Sequence, residues 1–374
     1  MFWNNLIRRY DEWINNSYPI NFEALGIYRI IYSLYVLFIS GIPNWSWLSD
    51  LPDDIYTPPF FSIASLFSGF PDYYLLLSIS GIVCILYIFL LFGFKTTFVS
   101  ILIPTLYFIG NSFLYSRGKI DHTDLFLILI PLVMAFSNWG SSFSIDSNTK
   151  PKQGKPSNSW PVTLMSLLIG FAFFSAGLPK LLGGWLNLNT HGVKGIFYNY
   201  YYTQGHQNYL ASFFLEIQND LFWETLDYLT VFFEVSFLFT IIIPTIFRFY
   251  IYIAIIFHMV IFLMLNIIFS DNLVAYLLFI NWNIVLRFLE KFRVVEIVSY
   301  LPTYSNMIIF SIIMVSYFFF IGSSPFIKFL EVLDLDPSIV LLSIGTLVAT
   351  INFSHYLRMK LRLHLHPIIN KSQF

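Results

Sequence analysis

Residues Tyr73 to Phe92 read YYLLLSISGIVCILYIFLLF. Twenty consecutive residues carry no charge, and at 1.5 Å per residue a helix of them is about as long as a bilayer's hydrocarbon core is thick. No soluble strand or surface helix needs such a run. The rest of the chain agrees: 57% of the 374 residues are hydrophobic, 20% are aromatic and 11% are charged. The mean hydropathy is +0.70. Soluble domains carry about 25% charged residues, so lipid must be the solvent for much of this chain.

Working outward, ten apolar runs qualify as membrane spans, near 22–42, 73–93, 97–115, 123–138, 161–182, 221–243, 248–268, 272–287, 307–325 and 336–353. The fourth and eighth are short enough to be tilted or re-entrant. The expected fold is an all-α, polytopic helical membrane bundle. Before the first span, MFWNNLIRRYDEWINN places Phe2, Trp3, Leu6, Ile7, Tyr10, Trp13 and Ile14 on one helical stripe. That pattern predicts an amphipathic helix lying in the headgroup region. No cleavable signal peptide is visible.

Charge sets the orientation. With the N-terminus cytoplasmic, 14 of the 20 Lys and Arg fall in inside segments and 4 outside; Arg29 and Lys180 lie in or at the edge of spans. The positive-inside rule then puts both termini in the cytoplasm of a cell-membrane protein. Lys180, Asp121 and His122, and the Tyr- and Asn-rich segment 183–220, share the outer side. A net charge of −1 gives no reason to expect nucleic acid. The single cysteine, Cys84, can form no intrachain disulfide. No metal-binding motif, phosphate-binding glycine loop or nucleophile elbow is present.

Ionisable groups inside spans are costly and are functional candidates by default. FFSAGLPKLLGGW, Phe173 to Trp185, ends a span on Lys180. The small residues Ala176 and Gly177 admit a close helix neighbour, and Pro179 removes a backbone donor one turn from the end. The bland reading is a snorkelling lysine with an interfacial tryptophan. His122, between Asp121 and Asp124, opens the fourth span, where helix capping competes with proton exchange as its role. Arg29, Glu234 and His258 lie within the first, sixth and seventh spans, as pocket residues or as mutual structural partners.

Together these stretches resemble the transmembrane domain of the vitamin K-dependent gamma-carboxylases and their bacterial relatives, the horizontally transferred transmembrane domain family. The resemblance rests on Ala176-Gly177-x-x-Lys180 with Trp185, Tyr28-Arg29, His122, Ser144-x-Asp146, the acid of FFEV (Glu234) and the histidine of IFHM (His258). It covers roughly residues 20–290, so 1–290 reads as the carboxylase-like domain and 291–374 as an added C-terminal hairpin with a basic tail. The resemblance implies an enzyme in which Lys180 is the base that deprotonates a reduced quinone (menaquinol or vitamin K hydroquinone), with oxygen and carbon dioxide as co-substrates. His122 would assist, and Arg29, Trp185, Glu234 and His258 would line the cofactor site. The substrate would be a small secreted peptide or protein. Two departures bear on this: Pro179 stands where the family has a second lysine, and Leu188 where it often has glycine. The large soluble domain of the carboxylases is also missing, a role left to a soluble partner subunit. The alternative is a non-catalytic membrane factor for peptide maturation, export or immunity, or a lipid- or quinone-binding protein. Transport ranks third, because no internal repeat accompanies it.

Overall fold

The computed structural model describes residues 2–120, 124–149, 159–188, 190–322, 324–333 and 335–369. Among them all regular structure is helical. The α-helices are α1 (Phe2–Asn16), α2 (Phe22–Tyr35), α3 (Tyr73–Phe92), α4 (Thr96–Tyr115), α5 (Leu125–Met134), α6 (Ile145–Thr149), α7 (Trp160–Leu182), α8 (Gly192–Tyr198) and α9 (Ala211–Leu215). They continue as α10 (Asp220–Thr240), α11 (Pro244–Leu265), α12 (Ser270–Tyr276), α13 (Trp282–Lys291), α14 (Val294–Tyr300), α15 (Tyr304–Ile321), α16 (Pro325–Val332) and α17 (Pro337–Ile369).

Seven helical segments among the described residues are long and apolar enough to cross a membrane: Phe22–Ser40, Tyr73–Phe92, Thr96–Tyr115, Trp160–Leu182, Pro244–Leu265, Tyr304–Ile321 and Pro337–Ser354. This is a multi-pass membrane architecture, and the seven coincide with seven of the ten expected spans. The other three differ for local reasons. The fourth shortens to α5, ten residues with Pro131 inside it, followed by turns. The eighth breaks at Ile280 and Asn281 into the short helices α12 and α13. The sixth, α10, forms at its expected place but carries Asp220, Glu224, Asp227 and Glu234, too many acids for a plain apolar span.

The chain divides into two compact units, residues 1–164 with 282–336 and residues 165–281 with 337–374. In the first, α3 packs between α4 and α15 and also meets α2. Helix ends are set by capping. Asp72 accepts hydrogen bonds from the backbone N–H groups of Tyr74 and Leu75 at the start of α3. Gly93 ends that helix in the left-handed conformation, φ 65°. A Cβ there would strike Ser144 and the Arg29 guanidinium, so glycine is needed for space as well as for φ. The next helix, α4, is capped from a distance: Asp146 accepts from the N–H groups of Lys95 and Thr96 at 2.9 and 2.8 Å and from the Thr96 hydroxyl at 2.8 Å.

Buried polar groups in this unit are tied to one another. The Trp45 indole donates to Asn111 and the Trp139 indole to Ser100, each at 3.1 Å. The Tyr32 hydroxyl meets the Tyr87 hydroxyl at 3.0 Å and donates to the Leu127 carbonyl at 2.7 Å. In an apolar solvent such bonds are obligatory rather than optional.

In the second unit α7 lies against α10 along a face of small residues. A Cβ on Gly170 would meet Ile241 at 2.7 Å, and one on Gly177 would meet the Glu234 Cβ at 2.7 Å and the Val235 backbone nitrogen at 3.0 Å. Between these glycines Phe173 stacks on Phe237 with ring centres 4.2 Å apart. The pattern is the small-residue approach that membrane helices use in place of a hydrophobic driving force. Helix α11 packs against α17 and α10. The segment 192–217 folds over Trp223, Met264 and Leu265, burying Phe197 and Ala211 among them.

Candidate functional site

The close approach at Gly177 puts Lys180 and Glu234 in contact. Lys180 Nζ donates to both carboxylate oxygens of Glu234, at 2.5 and 2.6 Å. The Glu234 side chain is 6% exposed and that of Lys180 is 24% exposed. Helix α7 runs on through Pro179 to Leu182, and the chain then turns: the Gly183 N–H bonds the Pro179 carbonyl at 2.7 Å and the Trp185 N–H bonds the Lys180 carbonyl at 3.2 Å. Gly184, at φ 83°, makes the left-handed step that brings Trp185 back. The Trp185 ring centre then lies 5.4 Å from Lys180 Nζ, a cation–π arrangement.

Lys180, Glu234 and Trp185 form the polar corner of a cavity of about 550 Å³. Its walls are otherwise almost wholly apolar, with Phe232, Phe233, Phe249, Tyr250, Phe257 and Met264 prominent. Thr230 and Tyr250 add hydroxyls, the latter already 3.0 Å from the Ser236 hydroxyl. Four lining residues, Leu229, Phe232, Ile256 and Val260, are exposed, so the mouth of the cavity is an apolar rim.

A second polar cluster sits beside it on the same face of α10. Asp227 accepts hydrogen bonds from the backbone N–H groups of Gly192 and Val193, at 2.9 and 2.6 Å, and so caps α8 from outside. His191 Nδ1 is 3.2 Å from Glu224 and Nε2 is 3.8 Å from Asp220. The His191–Glu224 approach is short in distance but not aligned as a hydrogen bond, which leaves both Glu224 oxygens without a hydrogen-bond partner among the described residues. Lys194 donates to Asp220 at 2.9 Å and holds that exposed carboxyl below the usual carboxylate range, with His191 a smaller contributor. Helix α8 in turn supplies Val193 and Ile196 to the cavity wall. Gly192 packs on the Trp185 ring, where a Cβ would sit within 2.8 Å of ring carbon Cε3. The acid cluster thus fixes the segment that seats Trp185 over Lys180.

The structure therefore joins three of the expected site residues, Lys180, Trp185 and Glu234. His258 lies in the same unit but behind the cavity wall. Its Nε2 is 2.8 Å from the Tyr276 hydroxyl, and its ring stacks on Phe269 with centres 4.5 Å apart. It is buried next to the wall residue Phe257. Its Nδ1 has no hydrogen-bond partner among the described residues.

Arg29, in the first unit, is fully buried. Nη1 donates to the carbonyl of Trp139 at 3.1 Å and more weakly to that of Ser142 at 3.5 Å, while Nη2 donates to that of Phe143 at 2.5 Å. Its Nε has no hydrogen-bond partner among the described residues. Its observed bonds hold the turn after α5, and the Asp146 carboxylate offsets part of its charge. Asp121 and His122 lie outside the described residues, so the expected role of His122 has no geometry.

Sequence reading missed His191, Glu224 and Asp227. The signal was there: Asp220, Glu224, Asp227 and Glu234 follow i, i+4, i+7 and i+14 spacing, one face of a helix. No family model, curated protein or solved structure matches this chain. Among the described residues no group of three or more His, Cys, Asp or Glu is arranged to hold a metal ion.

Proposed function

We propose that the second unit is a membrane-embedded site that binds a reduced quinone and removes its hydroxyl proton, in an enzyme that modifies a small secreted peptide or protein. The observation that carries this reading is the Lys180–Glu234 pair standing at the edge of an aromatic-walled cavity of about 550 Å³. Flat apolar rings suit such walls, and ligand cavities are commonly about 300–1,000 Å³, apolar, with a few convergent polar groups. The residues thus fit the quinone class: one wet corner for a hydroxyl, dry walls for rings and an isoprenoid tail.

When bound, a reduced quinone would supply oxygen-dependent redox chemistry that no side chain can. The chain's own part is binding, exclusion of water and proton transfer. Glu234 draws a proton from the lysine, which leaves a neutral amine toward the cavity; an ammonium ion is no base. Lys180 Nζ then takes the ligand's hydroxyl proton, and its restored charge stands beside the ligand's anion while Glu234 keeps the first proton as a neutral acid. Trp185 covers the pair and keeps Lys180 from snorkelling out. By charge asymmetry both termini are cytoplasmic and the Lys180 end faces outward, where a secreted peptide is met. His122 belongs to that same outer side.

A second reading has its own support. The bidentate pair satisfies the lysine's charge internally, as a purely structural link in a lipid- or quinone-binding protein would. Arginine separates the two, because it pairs bidentately with carboxylate but stays protonated. The binding step is tested by extracting isoprenoid quinones from the purified full chain, and by titrating a short-chain menaquinone while following tryptophan fluorescence. Saturable binding in wild type that is lost in Val260→Trp, which fills the mouth, supports the proposal. Binding unaffected by that change rejects the cavity as the site.

A further inference from the structure

The first unit contains another cavity, of about 340 Å³, and its shape is that of a groove. On α15 its lining residues are Asn306, Ile309, Phe310 and Ile313, an i, i+3, i+4, i+7 stripe. The seven helical steps from Asn306 to Ile313 make it about 10 Å long in the direction of the helix. Asn306, at the polar end, is committed to the Leu301 carbonyl at 3.0 Å. Beyond it the lining is apolar, and Leu34, Leu301, Ile309 and Ile313 are exposed along the opening.

The polar end is also the basic end. The Lys95 ammonium lies 5.7 Å over the Phe94 ring, and that ring packs 5.9 Å from Tyr304, the first residue of α15. Arg293 caps α14 in the left-handed conformation, five residues before the lining residue Val298. Lys95 and Arg293 are exposed, as are Arg287 and Lys291 on the adjoining α13. Against these four cations stand two exposed acids, Glu290 and Glu296. The carboxylate of Asp146 is occupied by three donors from Lys95 and Thr96. Phe288 and Phe292 are exposed on α13 beside Arg287 and Lys291, the composition of a helix lying in a charged lipid surface.

We propose that this groove seats one acyl chain of an anionic phospholipid, its phosphate held by Lys95 and Arg293. The apolar stripe takes the chain and the two cations take the headgroup. An uncharged ligand would use only the first of these, and a free phosphate only the second. The site is separate from the Lys180 cavity and does not depend on the reading given to it.

The test is competitive lipid retention. The purified full chain is equilibrated in micelles with equal phosphatidylglycerol and phosphatidylcholine, and bound lipid is counted by native mass spectrometry. Wild type is expected to retain phosphatidylglycerol about thirtyfold over phosphatidylcholine, two basic residues near a lipid surface being worth that much. Lys95→Gln with Arg293→Gln should bring the ratio near one. Ile309→Trp, which fills the groove with the cations intact, should lose the retained lipid altogether; an unchanged size-exclusion profile shows that each variant is folded. Equal retention of both lipids by wild type, a preference that survives the double change, or full displacement by glycerol 3-phosphate would overturn the proposal.

Discussion

Lys180 and Glu234, 54 residues apart in sequence, meet in a bidentate ion pair at 2.5 and 2.6 Å. Removing one member of a buried pair strands the other, at a cost of about 3–5 kcal/mol for full burial and less where solvent reaches. Lys180 is partly exposed, so Lys180→Met is expected to cost about 3 kcal/mol by this rule. The double change Lys180→Met with Glu234→Gln should cost less than Lys180→Met alone. Thermal unfolding in detergent measures both, and a double variant less stable than the single would show that the two residues are not coupled.

Gly177 permits that meeting. A methyl group there would press on the Glu234 Cβ and the Val235 backbone. Overpacking of this kind costs about 1–3 kcal/mol. Gly177→Ala is therefore expected to lower the unfolding temperature, and to weaken ligand binding in the Lys180 cavity by moving α10 off α7. An alanine variant with wild-type melting and binding would contradict the packing described for this face.

Arg29 is expected to act on stability. Its guanidinium reaches three carbonyls of the turn after α5, geometry that a lysine's single ammonium cannot reproduce. Charged hydrogen bonds are worth about 1.5–3 kcal/mol each, so Arg29→Lys should lower the melting temperature markedly. Quinone affinity of the fraction that remains folded should be unchanged. A selective loss of affinity with normal melting would return Arg29 to the binding site that the family resemblance suggested.

Much of the fold was legible because its cause is local. A run such as Tyr73–Phe92 has one physical solution in lipid, and Asp72 and Gly93 mark its two ends in the sequence itself. The ends of α10 were legible too, but the meaning of its acids was not. Asp227 is satisfied by backbone amides 34 and 35 residues earlier in the chain, and no spacing rule connects those positions. Lys180 could be singled out from its own neighbours, since the small pair, the proline and the tryptophan are adjacent. Its partner could not, because helix pairing is decided by which faces carry small residues. Ser144-x-Asp146, quoted for its family likeness, holds the start of α4 through Asp146.

The Asp220–Lys194 bridge anchors the start of α8, whose wall residues line the cavity. Lys194 depresses the Asp220 pKa. A depressed carboxyl contributes stability above its unfolded value and loses it as pH falls through the lower folded value. Acidification into that range should therefore loosen α8. Lys194→Gln should move the Asp220 titration upward, toward the usual carboxylate range. Carbon-13 NMR of aspartate-labelled protein reads this directly, and an unmoved midpoint would contradict the bridge as its cause. The bridge is exposed, so added salt should weaken it.

The central claim, that Lys180 takes a proton from a reduced quinone, is tested most directly by oxygen-dependent conversion of menaquinol to its epoxide. Wild type, Lys180→Ala and Lys180→Arg would be compared at matched quinol occupancy. General base catalysis is typically worth about 10²–10⁴-fold, so wild type should turn over while both variants fall by at least about a hundredfold, arginine included. Turnover retained by Lys180→Arg, or no turnover by wild type with quinol bound, would contradict the account.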